Sequence, residues 1–193
     1  ALLGCFIVLM PFYMMIMGSL KTSQEAAALT MSLPSEWQFR NYVIIFQTVR
    51  LFRAMMNSVL ITGFSVVITV TAAASASFYL GRVNSKATKV ISNVFYLGLI
   101  APIAIVPTIK LLQTFGISGT YVGVILVFAA MNMPFSVFLV SGLVKTIPRE
   151  LDEAAILDGC SPAGLFARIV LPLLTPVIVT GVIVVFMAVW NSF

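Results

Sequence analysis

The sequence predicts an all-α, polytopic membrane protein, and three observations carry that prediction. Of 193 residues, 61% are hydrophobic and 9% charged, against roughly 45–50% and about 25% in soluble domains. Five charge-free runs, residues 1–20, 54–81, 90–109, 111–144 and 169–193, interrupt the chain, and a spanning helix takes about 20 mostly apolar residues. Four of the six carboxylates fall within residues 150–158, so acidity is concentrated in one connection instead of spread over a solvated surface. So much apolar surface also excludes a disordered chain.

Each run reads as one helix of a single transmembrane domain over residues 1–193, with spans at about 1–20, 57–81, 90–109, 120–143 and 171–192. The first run is apolar from Ala1 and has no basic segment before it, so it reads as a membrane helix and not a signal peptide. The second carries the small residues 72–77, AAASAS, which let helix backbones approach closely in a bilayer. Pro102 and Pro107 interrupt the third and Pro134 the fourth, because proline removes an internal hydrogen bond and kinks a helix. The fourth run is longer than one span. Residues 113–119 hold Gly116, Ser118 and Gly119 and read as a loop before it. The first connection, residues 21–56, holds Trp37 and Tyr42, which suit a membrane interface.

Alternating the connections across the bilayer puts Arg82, Lys86, Lys89, Lys145, Arg149 and Arg168 on one side. Lys21, Arg40, Arg50, Arg53 and Lys110 fall on the other. The three basic residues in the short 82–89 connection decide the orientation: that side, with residues 145–168, is cytoplasmic, and Phe193 lies outside. The net charge of +5 does not mark a nucleic-acid binder, because the basic residues are scattered and form no stripe. Histidine is absent, and the two cysteines, Cys5 and Cys160, have no metal-ligand neighbours. The commonest metal ligand and general base are therefore missing, and no metal site or catalytic residue is expected. No ionisable residue lies centrally in a span, which disfavours a self-contained ion-coupled carrier.

Residues 145–176 read KTIPRELDEAAILDGCSPAGLFARIVLPLLTP. Pro148 suits the first turn of a helix, and Glu150, Asp152 and Glu153 suit its N-terminal dipole. Gly159 supplies the permissive backbone of a helix end. Ser161 and Pro162 read as an N-cap and first-turn proline of a second helix. Pro172 and Pro176 mark the hand-over to the last span. The prediction is a cytoplasmic helix–turn–helix elbow over residues 145–170, a natural docking knob for a soluble partner.

Glu153, Ala154, Ala155, Gly159, Ile169, Leu171 and Pro172 stand at the spacing of the EAA motif. On these residues the chain resembles the permease subunits of bacterial binding-protein-dependent ABC importers. Asn57–Ser58, Tyr79 with Arg82, Pro102, Pro134–Phe135 and Trp190–Asn191 are similar to the carbohydrate type, in particular to the maltose-type subunit without extra N-terminal helices. Asp152 departs from the glutamate usual before the motif Glu; little consequence is expected.

The resemblance implies a subunit of a bacterial-type plasma membrane with six helices, so the sixth would follow Phe193 and the first residues would precede Ala1. It implies three partners: a separate ABC ATPase that holds ATP and Mg, a second permease forming a heterodimer, and an extracytoplasmic solute-binding protein. No cofactor is expected on this chain, which has no phosphate-binding Gly-rich Lys-Ser/Thr loop. Glu153 would pair with a basic residue of the ATPase. Gly159 would tolerate no side chain, because one would close the turn. Asn132, Phe135, Ser136, Trp190 and Asn191 are the expected lining of a sugar path, since aromatic faces suit sugar rings and amides bind hydroxyls. Trp190 near the outer end could equally anchor at the interface or meet the binding protein.

Overall fold

The computed structural model describes residues 2–48, 50–102 and 104–193, and every regular element among them is helical. The chain divides into two compact units, residues 1–55 and 56–193.

In the first unit, α1 (Leu2–Ser19) leads through α2 (Ser23–Ala27) to α3 (Arg40–Thr48). The connection is organised by a buried cation. Lys21 is 3% exposed, and its Nζ donates to the Thr30 carbonyl at 2.8 Å and to the Thr30 and Ser32 hydroxyls at 3.3 and 3.4 Å. Burying an ammonium is costly unless its hydrogens find acceptors. The three oxygens supply them and fold the loop back on itself. Asn41 ties the end of α1 to the start of α3 by donating to the Ser19 and Lys21 carbonyls.

The second unit is built on α4 (Leu51–Arg82, which begins in the first unit), α5 (Lys86–Ile100), α6 (Ile105–Thr114), α7 (Tyr121–Val144) and α11 (Thr175–Trp190). Local chemistry starts the helices. Ser85 and Thr88 form a reciprocal capping box on α5, and the Thr120 hydroxyl accepts from the Gly123 N–H at the head of α7. Such caps contribute about 1 kcal/mol each. The apolar run 90–109 is not one helix: Ala101 is extended, with φ −66° and ψ 129°. The ring of Pro102 excludes the helical conformation from the residue before it. The helix resumes as α6.

Contacts between distant residues fix the directions of the helices. Asn57 meets Tyr121, Ser65 Oγ reaches the Ile125 carbonyl at 3.4 Å, and Ser77 Oγ donates to the Val137 carbonyl at 3.1 Å. Both numbers rise together, so α4 and α7 run parallel. Tyr96 faces Phe138, and Gly98 faces Pro134, so α5 runs antiparallel to α7. Gly181 faces Leu139 and Phe193 faces Phe128, so α11 is antiparallel too. The chain must reverse between two parallel helices, and α5 with α6 makes that return. Buried Thr62, Ser65, Thr69, Ala73 and Ser77 form one stripe of α4. Small side chains there let the helices come close, and the hydroxyls of Ser65, Thr69 and Ser77 donate to backbone carbonyls.

Helix α4 and helix α7 are each long and apolar enough to cross a membrane; the helical segment Pro162–Leu173 with Thr175–Trp190, bent by 76°, makes a third if the bent pair is one span. The 24 residues of α7 extend about 36 Å against a hydrocarbon core of about 30 Å.

A Cβ added to Gly98 would stand 2.8 Å from Cγ of Pro134. The ring is locked to its own helix and cannot swing away. Gly98→Val should therefore destabilise the α5–α7 contact by about 1–3 kcal/mol, read as a lowered midpoint in thermal unfolding of the purified full-length subunit. An unchanged midpoint would show that the two helices are not held together there.

Candidate functional site

Helix α7 ends at Val144, and the chain turns through Ile147 into α8 (Glu150–Leu157). Three acids occupy the first turn of α8, where the helix dipole favours them. The helical period sorts the short helix into two faces. Asp152 and Ala155 point inward. Glu150, Glu153, Ala154 and Leu157 stand exposed, with Leu157 at 87%.

The inward face is anchored in two ways. Ala155 is buried in a cluster with Val140, Val144, Ile147, Leu165, Val170 and Leu174. Asp152 meets Arg82 from the end of α4: Nη2 donates to Oδ1 at 3.0 Å, and Nε lies 2.6 Å from Oδ2 as a charge contact without a hydrogen bond. The two side chains are only 12% and 14% exposed. Arg82 Nη1 also donates to the Ile147 carbonyl at 3.0 Å, and Arg149 Nη2 donates back to the Arg82 carbonyl at 3.4 Å. One guanidinium thus joins the end of α4 to both the turn and the helix of the elbow.

Asp152, expected from the sequence to matter little, is thus the anchoring acid of the elbow. The partners lie 70 residues apart, so no local spacing signals them. Their assignment to the same side of the bilayer was the only available hint.

At the end of α8 the Cys160 N–H donates to the Ala155 carbonyl and the Gly159 N–H to the Ile156 carbonyl, the paired bonds of a Schellman ending. Gly159 sits at φ +78°. No atom lies within 4 Å of where its Cβ would be. The demand for glycine here is backbone conformation and not space, contrary to the expectation that a side chain would close the turn.

Ser161 Oγ accepts from the Gly164 N–H, and Pro162 takes the first position of α9 (Pro162–Gly164). The helix then widens into a π-helical segment, Leu165–Val170, before α10 (Leu171–Leu173). Proline at 172 cannot donate to the Arg168 carbonyl and its ring crowds that carbonyl, so a widened turn relieves the conflict. Pro176 imposes the same conflict on the carbonyl of Pro172, at the 76° bend before α11. Ile169 packs on the buried cluster. Leu171 and Pro172 line an apolar cavity of about 450 Å³ together with Val70, Ala74 and Ile178. The seven motif residues therefore divide: Glu153 and Ala154 face outward, Gly159 shapes the turn, Ala155 and Ile169 pack in the buried cluster, and Leu171 and the exposed Pro172 line the apolar cavity.

The expected path residues are less unified. Ser136 is 2% exposed, and its hydroxyl donates to the Asn132 carbonyl at 2.9 Å. Asn132 Nδ2 in turn donates to the Phe128 carbonyl at 2.8 Å. Phe135 is exposed on the same helix. Trp190 stacks on Phe186 with centroids 5.4 Å apart, and Asn191 caps α11, at the end of the bundle away from the elbow.

An all-helical bundle with an anchored elbow at one end and apolar helices of membrane length defines a helical membrane protein. The chain belongs to the family of binding-protein-dependent transport system inner membrane components, which matches over residues 73–193. It is 36% identical to the probable ABC transporter permease protein YurM of Bacillus subtilis, over 95% of this chain and 61% of that protein. It is 29% identical to the diacetylchitobiose uptake system permease protein NgcG of Streptomyces coelicolor, over 100% and 64%. The chain thus spans less than two thirds of the length of these relatives. The fold matches the crystal structure of a bacterial ABC transporter involved in the import of the acidic polysaccharide alginate, with a TM-score of 0.83 and 20% identity over 98% of this chain and 68% of that one.

Proposed function

We propose that this chain is the membrane-spanning subunit of an ATP-driven importer for a sugar or a related polyol or glycerol phosphate. In this reading an extracytoplasmic binding protein delivers the solute, a second permease completes the path, and a separate ATPase holds ATP and Mg. The chain crosses a bacterial-type plasma membrane five times between residues 1 and 193, and α5 with α6 makes the crossing that returns between parallel α4 and α7. The elbow is cytoplasmic.

The observation that carries the reading is the elbow's two-faced geometry. Its inner face is tied to α4 and α7, while Glu153, Ala154 and Leu157 stand free on the outer face. An exposed carboxylate beside the apolar Ala154 and Leu157 gives a partner cleft both a charge to pair and apolar area to cover. Movement of that partner would pass through Arg82 and the buried cluster into the spanning helices. The sugar class rests on the NgcG relative's uptake of diacetylchitobiose and on the carbohydrate-type motifs. Asn132 and Phe135, with Trp190 and Asn191 at the far end, are the residues proposed to meet solute, with Ser136 holding the α7 backbone behind them.

Affinity purification of the full-length subunit from its own cells should bring down an ATPase, and deleting its gene should abolish uptake of one labelled carbohydrate. Recovery of the subunit without any ATPase, together with unchanged uptake across a carbohydrate panel, would overturn the proposal.

A further inference from the structure

At the elbow end of the bundle, α5 and the end of α7 enclose an open cavity of about 350 Å³. Three cations line it, Lys89, Lys145 and Arg149, and no carboxylate does. The one ion pair among the described residues, Arg82 with Asp152, leaves these three without an acidic partner. Like charges converging on one space repel, and an anion between them removes that cost.

Polar groups able to hold its oxygens are already in place. Lys89, Ser92, Asn93 and Tyr96 all line the cavity, and their spacing puts them on one face of α5. The adjacent face carries Val90, Val94 and Leu97, which are 61%, 62% and 66% exposed. A polar, cationic face beside an apolar, exposed one fits an amphiphile with an anionic head.

We propose that this cavity binds a phosphate-bearing anion, which in the membrane is the headgroup of an anionic phospholipid whose acyl chains lie along Val90, Val94 and Leu97. Basic pockets between transmembrane helices near the cytoplasmic surface take up such headgroups. The site is separate from the outer face of α8 and needs no contact with the ATPase.

The test uses the purified complex containing the full-length subunit, reconstituted in nanodiscs of phosphatidylcholine and phosphatidylglycerol. Lipid retained after delipidation is counted by native mass spectrometry, and binding of labelled inorganic phosphate is measured in parallel. Lys89→Gln with Lys145→Gln should lower phosphatidylglycerol retention by about 30-fold, at roughly fivefold for each cation near the surface. Phosphatidylcholine should be unaffected, and Lys89→Arg with Lys145→Arg should restore retention. Both lysines are exposed, so the fold should tolerate either pair. If phosphatidylglycerol does not respond but inorganic phosphate binds wild type and not the Gln variant, the anion site stands with free phosphate as its ligand. If neither anion distinguishes wild type from the Gln variant, the proposal is overturned, as it is if an acidic partner side chain already fills the cavity. Failure of the transport reading would show instead in uptake and ATPase recovery, which this assay does not measure.

Discussion

Glu153→Ala in the assembled importer is expected to cut solute-dependent ATP hydrolysis and uptake by tenfold or more while leaving insertion and thermal stability near wild type. Glu153 is exposed and makes no hydrogen bond or ion pair among the described residues, so its removal costs the isolated subunit almost nothing. In the proposed docking its carboxylate would become one half of a desolvated charge pair. Truncating such a partner costs about 2–5 kcal/mol, which is about 30-fold to several thousandfold in the docking equilibrium. Glu153→Gln should fall nearly as far, since the charge and not the shape is lost. Co-purification of the ATPase and vesicle uptake read the effect; normal values for both variants would remove Glu153 from the coupling role. At Gly159 the φ of +78° with open space around it makes a graded prediction. Gly159→Asn should be mild, because asparagine tolerates the left-handed region, whereas Gly159→Val should cost more than the roughly 1–2 kcal/mol of an ordinary residue there. Equal effects of Asn and Val would show that space decides the position.

Arg82→Met should be the most damaging single substitution at the base of the elbow. It removes the hydrogen bonds to Asp152 and the Ile147 carbonyl and leaves the Asp152 carboxylate unpaired at 14% exposure. Breaking a fully buried pair costs about 3–5 kcal/mol. Partial solvent access reduces this to about 2 kcal/mol. Unlike Glu153→Ala, the variant should lose thermal stability as well as coupling. Asp152→Asn keeps an acceptor for Nη2 and should cost less. In Arg82→Met with Asp152→Leu no charge is stranded, so stability should recover beyond the sum of the single changes. ATP hydrolysis should then remain poorly coupled, because the link between α4 and α8 is gone. Additive losses in the double variant would show that the pair contributes no interaction of its own.

The two predictions differ in how far the sequence could reach them. Glu153 is singled out by its spacing to Gly159, Ile169 and Pro172, all within 20 residues. The Schellman ending at Gly159 and the Ser161–Pro162 start are local chemistry, and both form where the residue types demand them. Even the break in the run 90–109 follows from Pro102 acting on its immediate neighbour. Arg82–Asp152 could not be read in this way. Neither could Ser136, whose hydroxyl suits a solute path in the sequence but is buried against the backbone of its own helix in the fold. A helix's position along the chain is local information; the side of it that meets a neighbour is not.

Apolar runs, prolines and glycines act within a turn or two of themselves. For that reason the sequence alone determined that this is an all-helical membrane protein and that an elbow with an acidic first turn follows α7, whereas Pro107, expected to break the third run, lies inside α6. Only the tertiary structure decided which carboxylate anchors and which stands free, because that depends on α4 and α8 meeting across 70 residues. It likewise decided that Lys89, Lys145 and Arg149 share one cavity. Those facts arise from helices packing in three dimensions, where backbones approach closely only at small side chains such as Gly98 and Ser77 and each contact sets the rotation of both helices.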